Sequence, residues 1–174
     1  MNATSLSMNP PASSRARQVL GLVGWLLLCF AAAGVGGLAS ANAAGFYGEL
    51  TRPDWAPPAW LFGPVWSALY TLMAISAWLV WRRGGWAAAP GALGLFVAQL
   101  AVNASWSWFF FVWHLGAASL AVQVVLLALV LMTLVAFWHR SALAGALLLP
   151  YVAWLGFAGV LMTVVWRLNP AQLG

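Results

Sequence analysis

Five long stretches of this chain are apolar from end to end, with no acidic residue or arginine well inside any of them. They cover about residues 19–41, 61–81, 92–113, 116–138 and 143–166 of 174. A helix of about 20 residues crosses the roughly 30 Å of hydrocarbon in a bilayer, so each stretch is long enough to span. Charged residues make up 5% of the chain, where a soluble domain carries about 25%. Backbone groups in hydrocarbon must be satisfied within their own segment, which selects helices. Most connections are short, so sequential neighbours pack antiparallel. The expected fold is an all-α membrane protein, a five-transmembrane-helix bundle over residues 19–169 behind a disordered polar tail at 1–18.

The net charge of +5 comes from seven arginines scattered between the spans. That scatter excludes nucleic acid as a partner, which would need a basic face. Arg15, Arg17, Arg82, Arg83 and Arg140 fall on one side of the bundle, Arg52 and Arg167 on the other. The positive-inside rule then leans toward a cytoplasmic N-terminus. Arg15 and Arg17, the first apolar run and Ala41-Asn42-Ala43 together imitate a secretory signal. The run exceeds the about 7–15 residues of a signal core, so it is expected to stay as a span. Cys29 has no partner for an internal disulfide and is expected to be a small buried apolar residue.

Few groups are available for chemistry. His114 and His139 stand singly at span ends, which assigns no metal site. Glu49 and Asp54, the only acids, share the connection at 42–58. No nucleophile, base and acid can be assembled, and neither a catalytic residue nor a cofactor is assigned. That connection also holds Arg52, Pro53, Trp55, Pro57, Pro58 and Trp60. It either folds over the bundle end as a lid or anchors in the membrane interface. Pro150, about two turns into the fifth stretch, is expected to kink it.

Polar and aromatic side chains at membrane depth remain. In the third span Gln99, Asn103, Trp106 and Phe110 share one face at helical spacing, opposite Gly94, Ala98, Ala101 and Ser105. Amides in hydrocarbon are costly unless satisfied, so Gln99 and Asn103 face the interior, either as glue between helices or as ligand contacts. The second span carries a stripe of Phe62, Trp66, Tyr70 and Met73, and the fifth carries Tyr151, Trp154, Ala158 and Met162. Trp25, Trp81, Trp86, Trp113, Trp138 and Trp166 lie near span ends and read as an interfacial belt. Trp66, Trp106 and Trp154 lie deeper. If their stripes converge, they line an aromatic slot suited to a flat, largely apolar ligand. Ordinary core packing is the other reading.

Four strings bear on that choice. Trp55-Ala-Pro-Pro-Ala-Trp60 is followed by Phe62-Gly-Pro-Val-Trp66-Ser-Ala-Leu-Tyr70. Then come Gln99-Leu-Ala-Val-Asn103-Ala-Ser-Trp106 with Phe109-Phe110, and Pro150-Tyr151-Val-Ala-Trp154. In order and spacing they resemble the TspO/translocator protein family over about residues 46–169. The resemblance implies a five-helix bundle, often dimeric, that binds porphyrins and, in animals, sterols and synthetic aromatic ligands. It places Trp66, Tyr70, Gln99, Asn103, Trp106, Trp154 and Ala158 at or near the ligand-lining positions, with Trp55 in a cover above them. Light-dependent porphyrin degradation, linked to pocket tryptophans in some bacterial members, would fall to Trp66 and Trp154.

Two departures matter. The sterol-recognition stretch calls for a central aromatic residue where Leu161-Met-Thr-Val-Val-Trp-Arg167 has Thr163. Met162 stands where an asparagine is common. Tetrapyrroles are therefore favoured over sterols. The expected protein is an integral, multi-pass tetrapyrrole-binding translocator or sensor, a homodimer through the Gly94/Ala98 face. A porphyrin-degrading enzyme and a ligand-sensing regulator without transport are the alternatives. A bacterial setting is expected, with inner and outer membrane both open.

Overall fold

The computed structural model describes residues 15–174, so residues 1–14 of the tail expected at 1–18 lie outside it. Five helices are long and apolar enough to cross a membrane: Arg15–Ala39, Ala59–Trp81, Pro90–Val112, Gly116–Arg140 and Ala142–Leu168, the first to fifth spans. Among the described residues there is no strand. The expected all-α bundle is the observed one. Residues 15–18, expected in the disordered tail, are instead helical and continuous with the first span, Arg15–Ala39.

The first span packs against the second and third, the third against the fourth, and the fourth against the fifth. Closure between second and fifth spans is uneven. Their backbones approach through the short opening helix of the fifth, Ala142–Ala146, where the Ser76 hydroxyl donates to the Ala144 carbonyl at 2.6 Å. Beyond that point, Phe62–Trp81 and Leu149–Leu168 make few close backbone approaches. Large rings occupy the space between them.

Pro150 does not kink a continuous helix. The fifth span breaks at residues 147–148 and restarts as Leu149–Leu168 with Pro150 in its first turn. A proline there loses no helical hydrogen bond, because the N–H it lacks would be unpaired anyway. The third span ends in a π-helical turn, Trp108–Val112, closed by the Trp113 N–H donating to the Trp108 carbonyl at 2.9 Å. The wider turn turns three successive phenylalanines, Phe109 to Phe111, through different directions.

Glycine and tryptophan interlock these helices. A methyl group on Gly21 would overlap the Trp81 ring, one on Gly116 the Trp166 ring, and one on Gly145 the Trp138 ring. In lipid, where apolar burial gives helices no preference for one another, such close fits are the main source of cohesion. Trp25 departs from its expected place in an interfacial belt. It is buried, edge-on to Phe96 at 5.5 Å and stacked with Trp86 at 6.4 Å. It lies on the face of the first span that meets the third. Cys29 is also buried, as expected.

The bundle has two unlike ends. At one, Arg83 donates to the Arg140 carbonyl and Arg140 donates to the Ala88 carbonyl at 2.8 Å. Arg17 and Arg82 lie over the rings of Trp81 and Trp78. At the other end the connection between first and second spans folds into a short helix, Ala43–Glu49, followed by an extended run to the turn Ala59–Leu61.

Candidate functional site

The polar face of the third span meets the fifth span at Tyr151. The Asn103 Nδ2 donates to the Tyr151 hydroxyl at 2.6 Å, and that hydroxyl donates to Gln99 Oε1 at 3.3 Å. Gln99 Nε2 points at Met73 Sδ at 3.9 Å on the second span. Three spans are thus joined by one chain of amide, phenol and thioether. Every member is buried, Gln99 and Tyr151 at 1% exposure. An amide left unpaired at this depth would cost about 1–3 kcal/mol, which is why the polar groups gather on one facing surface.

Rings fill the gap above this floor. Trp66 tilts against Tyr70 with centroids 5.6 Å apart and meets Tyr151 edge-on at 6.1 Å. Tyr70 also touches Phe30 of the first span, at 6.5 Å. Toward the loop end, Trp154 meets Phe62 at 5.9 Å and Phe157 at 5.5 Å. The second and fifth spans are therefore bridged twice by aromatic pairs, each within the 4.5–7 Å range of favourable ring contact. The Trp154 Nε1 is buried and has no hydrogen-bond acceptor among the described residues. An indole N–H in an apolar setting normally has a partner.

The connecting loop leans on this assembly. Trp55, half exposed, meets Phe157 at 5.9 Å, and Tyr47 meets Phe62 at 5.5 Å. The Tyr47 hydroxyl donates to the Pro57 carbonyl at 3.2 Å, and the Arg52 guanidinium lies 4.6 Å over the Tyr47 ring. Burial raises the Tyr47 phenol above its ordinary value, and Arg52 partly offsets this. A cleft of about 400 Å³ opens within the loop, lined by Leu50, Arg52, Pro53, Asp54, Ala56 and Pro58.

Of the residues singled out from sequence, Trp66, Tyr70, Gln99 and Asn103 come together around Tyr151. Trp154 joins them from the loop side, beside Phe62 and within reach of Trp55 through Phe157. Ala158 follows one turn on, half-buried. Trp106 turns elsewhere. Its Nε1 donates to the Ser119 carbonyl of the fourth span at 3.1 Å, and its ring stacks on Phe110 at 5.4 Å. It belongs to a second apolar cluster with Leu50, Met162 and Val165.

Three contributors were not singled out as site residues. Tyr151 is the hub of the polar chain, and its place in the stripe of the fifth span was the signal. Phe157 carries the contact with the loop, and no periodicity marks it. Gln123, buried in the fourth span, donates to the Leu155 carbonyl at 2.8 Å and holds the fifth span one residue from Trp154. A lone amide in so apolar a helix is itself a pointer to the interior.

Known proteins resemble this chain over most of its length. The model of the TspO/MBR family matches residues 25–167. The protein CrtK of Rhodobacter capsulatus is 40% identical over 152 residues, covering 85% of this chain and 92% of its own length. The human translocator protein is 42% identical over 135 residues, 74% of this chain and 78% of its own. The tryptophan-rich sensory protein of Cereibacter sphaeroides is 36% identical over 145 residues, 83% and 89%. With its five spans and the match across nearly all of them, this integral, multi-pass membrane protein belongs to the TspO/MBR family.

Proposed function

We propose that this protein is a membrane translocator or sensor that holds tetrapyrroles between its second, third and fifth spans. Membership of the family, with relatives named translocator and sensory protein, supports a translocator or sensor role. The observation that carries the tetrapyrrole reading is the ring-bridged gap between second and fifth spans. A flat macrocycle entering there exchanges ring–ring contacts for contacts of the same kind. Trp66 and Trp154 supply stacking faces, worth about 1 kcal/mol each beyond area burial. Asn103, Gln99 and Tyr70 orient the ring edge. The Trp154 N–H, without an acceptor among the described residues, donates to a ligand acceptor. Trp55 is the cover, and Ala158 leaves room beside Trp154.

Titration of protoporphyrin against tryptophan fluorescence, in wild type and Trp154→Phe, tests the reading. Saturable quenching weakened several-fold by the substitution is expected. Equal affinity in both proteins would refute it. Light-driven degradation is the second reading, favoured by the contact of Trp66 with two tyrosine rings. Loss of the Soret band under illumination that requires Trp66 and Trp154 would support it. Flux of a labelled porphyrin across vesicles separates transport from sensing.

The homodimer reading rests on the outer face of the third span. Ala98 and Ala101 are exposed, and a methyl group on Gly94 would meet open space. Small residues there permit the close helix approach that lipid-embedded dimers use. Sterols remain a lesser expectation. Thr163, in the place of the aromatic residue, turns its hydroxyl back to the Gly159 carbonyl of its own helix at 2.8 Å.

A further inference from the structure

Asn169, just past the fifth span, spends its whole side chain on bonds that tie the loop down. Its Oδ1 accepts the Thr51 N–H at 2.8 Å. Its Nδ2 donates to the Thr51 carbonyl at 2.8 Å and to the Val165 carbonyl at 2.7 Å. One amide thereby takes both backbone groups of one loop residue, as a neighbouring strand would, across 118 positions of sequence. The bond to Val165 fixes the amide's orientation, and the side chain is 2% exposed. The backbone of Asn169 is held as well, since its carbonyl accepts from Gln172 and Leu173 in the last helical turn. A fixed anchor thus faces a loop strap.

The strap is internally stapled. Tyr47 bonds Pro57, and Arg52 covers Tyr47, so the segment from the short helix to Pro57 is tied together as one flap. Beside Thr51, Leu50 is buried in the apolar cluster of Val165 and Leu173. Further on, Trp55 rests on Phe157, which touches Trp154. The polar attachment at Thr51 and the cover over Trp154 therefore belong to the same flap.

We propose that Asn169 is a positioning residue, the latch that holds this flap closed over the ring-bridged gap and sets the rate at which ligand enters and leaves. The inference rests on the reading of that gap as the tetrapyrrole site. Asn169 touches no ligand and acts through the loop. Losing the latch raises the open fraction of the flap without altering the slot, so entry and exit accelerate together while affinity moves less than either rate.

The test uses the full chain in nanodiscs with two variants. Asn169→Leu keeps the volume and removes all three side-chain bonds. Asn169→Asp keeps the acceptor for the Thr51 N–H and removes the donor to its carbonyl. Hydrogen exchange of the amides at 50–57 is read by mass spectrometry, and protoporphyrin kinetics by stopped-flow fluorescence. In Asn169→Leu the loop amides are expected to exchange at least about tenfold faster, the loss of two modest hydrogen bonds expressed as an equilibrium. Exchange around Asn103 and Tyr151 stays as in wild type. Association and dissociation both rise several-fold, with Asn169→Asp intermediate. Unchanged loop exchange would overturn the latch. So would faster exchange spread through the whole bundle, or association no faster than wild type. If protoporphyrin does not bind wild type, the tetrapyrrole reading falls, and loop exchange alone decides whether Asn169 closes the flap.

Discussion

Replacing Tyr151 with phenylalanine keeps every ring contact and removes one oxygen. That oxygen accepts from Asn103 at 2.6 Å and donates to Gln99 at 3.3 Å. Its loss leaves an amide N–H and an amide carbonyl unpaired in a region where Gln99 is 1% and Asn103 6% exposed. At about 1–3 kcal/mol for each buried orphan, the upper range is about 2–6 kcal/mol. Interhelical side-chain bonds in membranes measure nearer 0.6 kcal/mol on average, with a maximum of about 1.7, because the unfolded state in lipid finds other partners. The short Asn103 bond and the burial of both amides place Tyr151→Phe at about 2 kcal/mol. The triple variant Tyr151→Phe, Gln99→Leu, Asn103→Leu distinguishes orphaned groups from lost bonds. It removes both amides along with the hydroxyl, so none of the three is left unpaired, and it should recover most of the stability lost by the single change. Reversible unfolding in mixed micelles with increasing dodecyl sulfate, followed by tryptophan fluorescence, measures both. A triple variant less stable than Tyr151→Phe alone would refute the reasoning.

Three other substitutions probe the packing and the assembly. Gly116→Ala pushes a methyl group into the Trp166 ring and should cost about 1–3 kcal/mol in the same unfolding assay, whereas Gly94→Ala, which meets nothing, should leave monomer stability unchanged. Ala98→Cys should cross-link as a dimer in native membranes under mild oxidation, with buried Cys29 as a silent background, and a purely monomeric product would remove the dimer interface.

The bundle was legible because its signals are one-dimensional. Apolar length alone marks five spans, and the pairing of Gln99 with Asn103 at helical spacing marks the inward face of the third. What escaped depends on which neighbour a side chain finds. Trp25 and Trp166 are alike in sequence, both near span ends, yet one is buried against Phe96 and the other lies over Gly116. Trp106 shares a stripe with Asn103, yet the next helix lies within reach of its N–H and turns it away from Tyr151. Pro150 is visible as a proline, but whether it bends a helix or opens a new one depends on the two residues before it. Asn169 reads as an ordinary helix stop. Nothing in its surroundings along the chain points to Thr51, because that contact exists only once the loop has returned to the fifth span.

The central claim concerns place, and the thirteen tryptophans of the chain make place measurable. Protein in vesicles is illuminated with protoporphyrin at low dose, digested, and searched by mass spectrometry for oxidised tryptophan. Short-lived oxidants attack the nearest rings first. Trp66 and Trp154 should be modified ahead of Trp113 and Trp138, which are more exposed and lie at the span ends. Modification led by those exposed rings, with Trp66 and Trp154 intact, would contradict a site between the second and fifth spans.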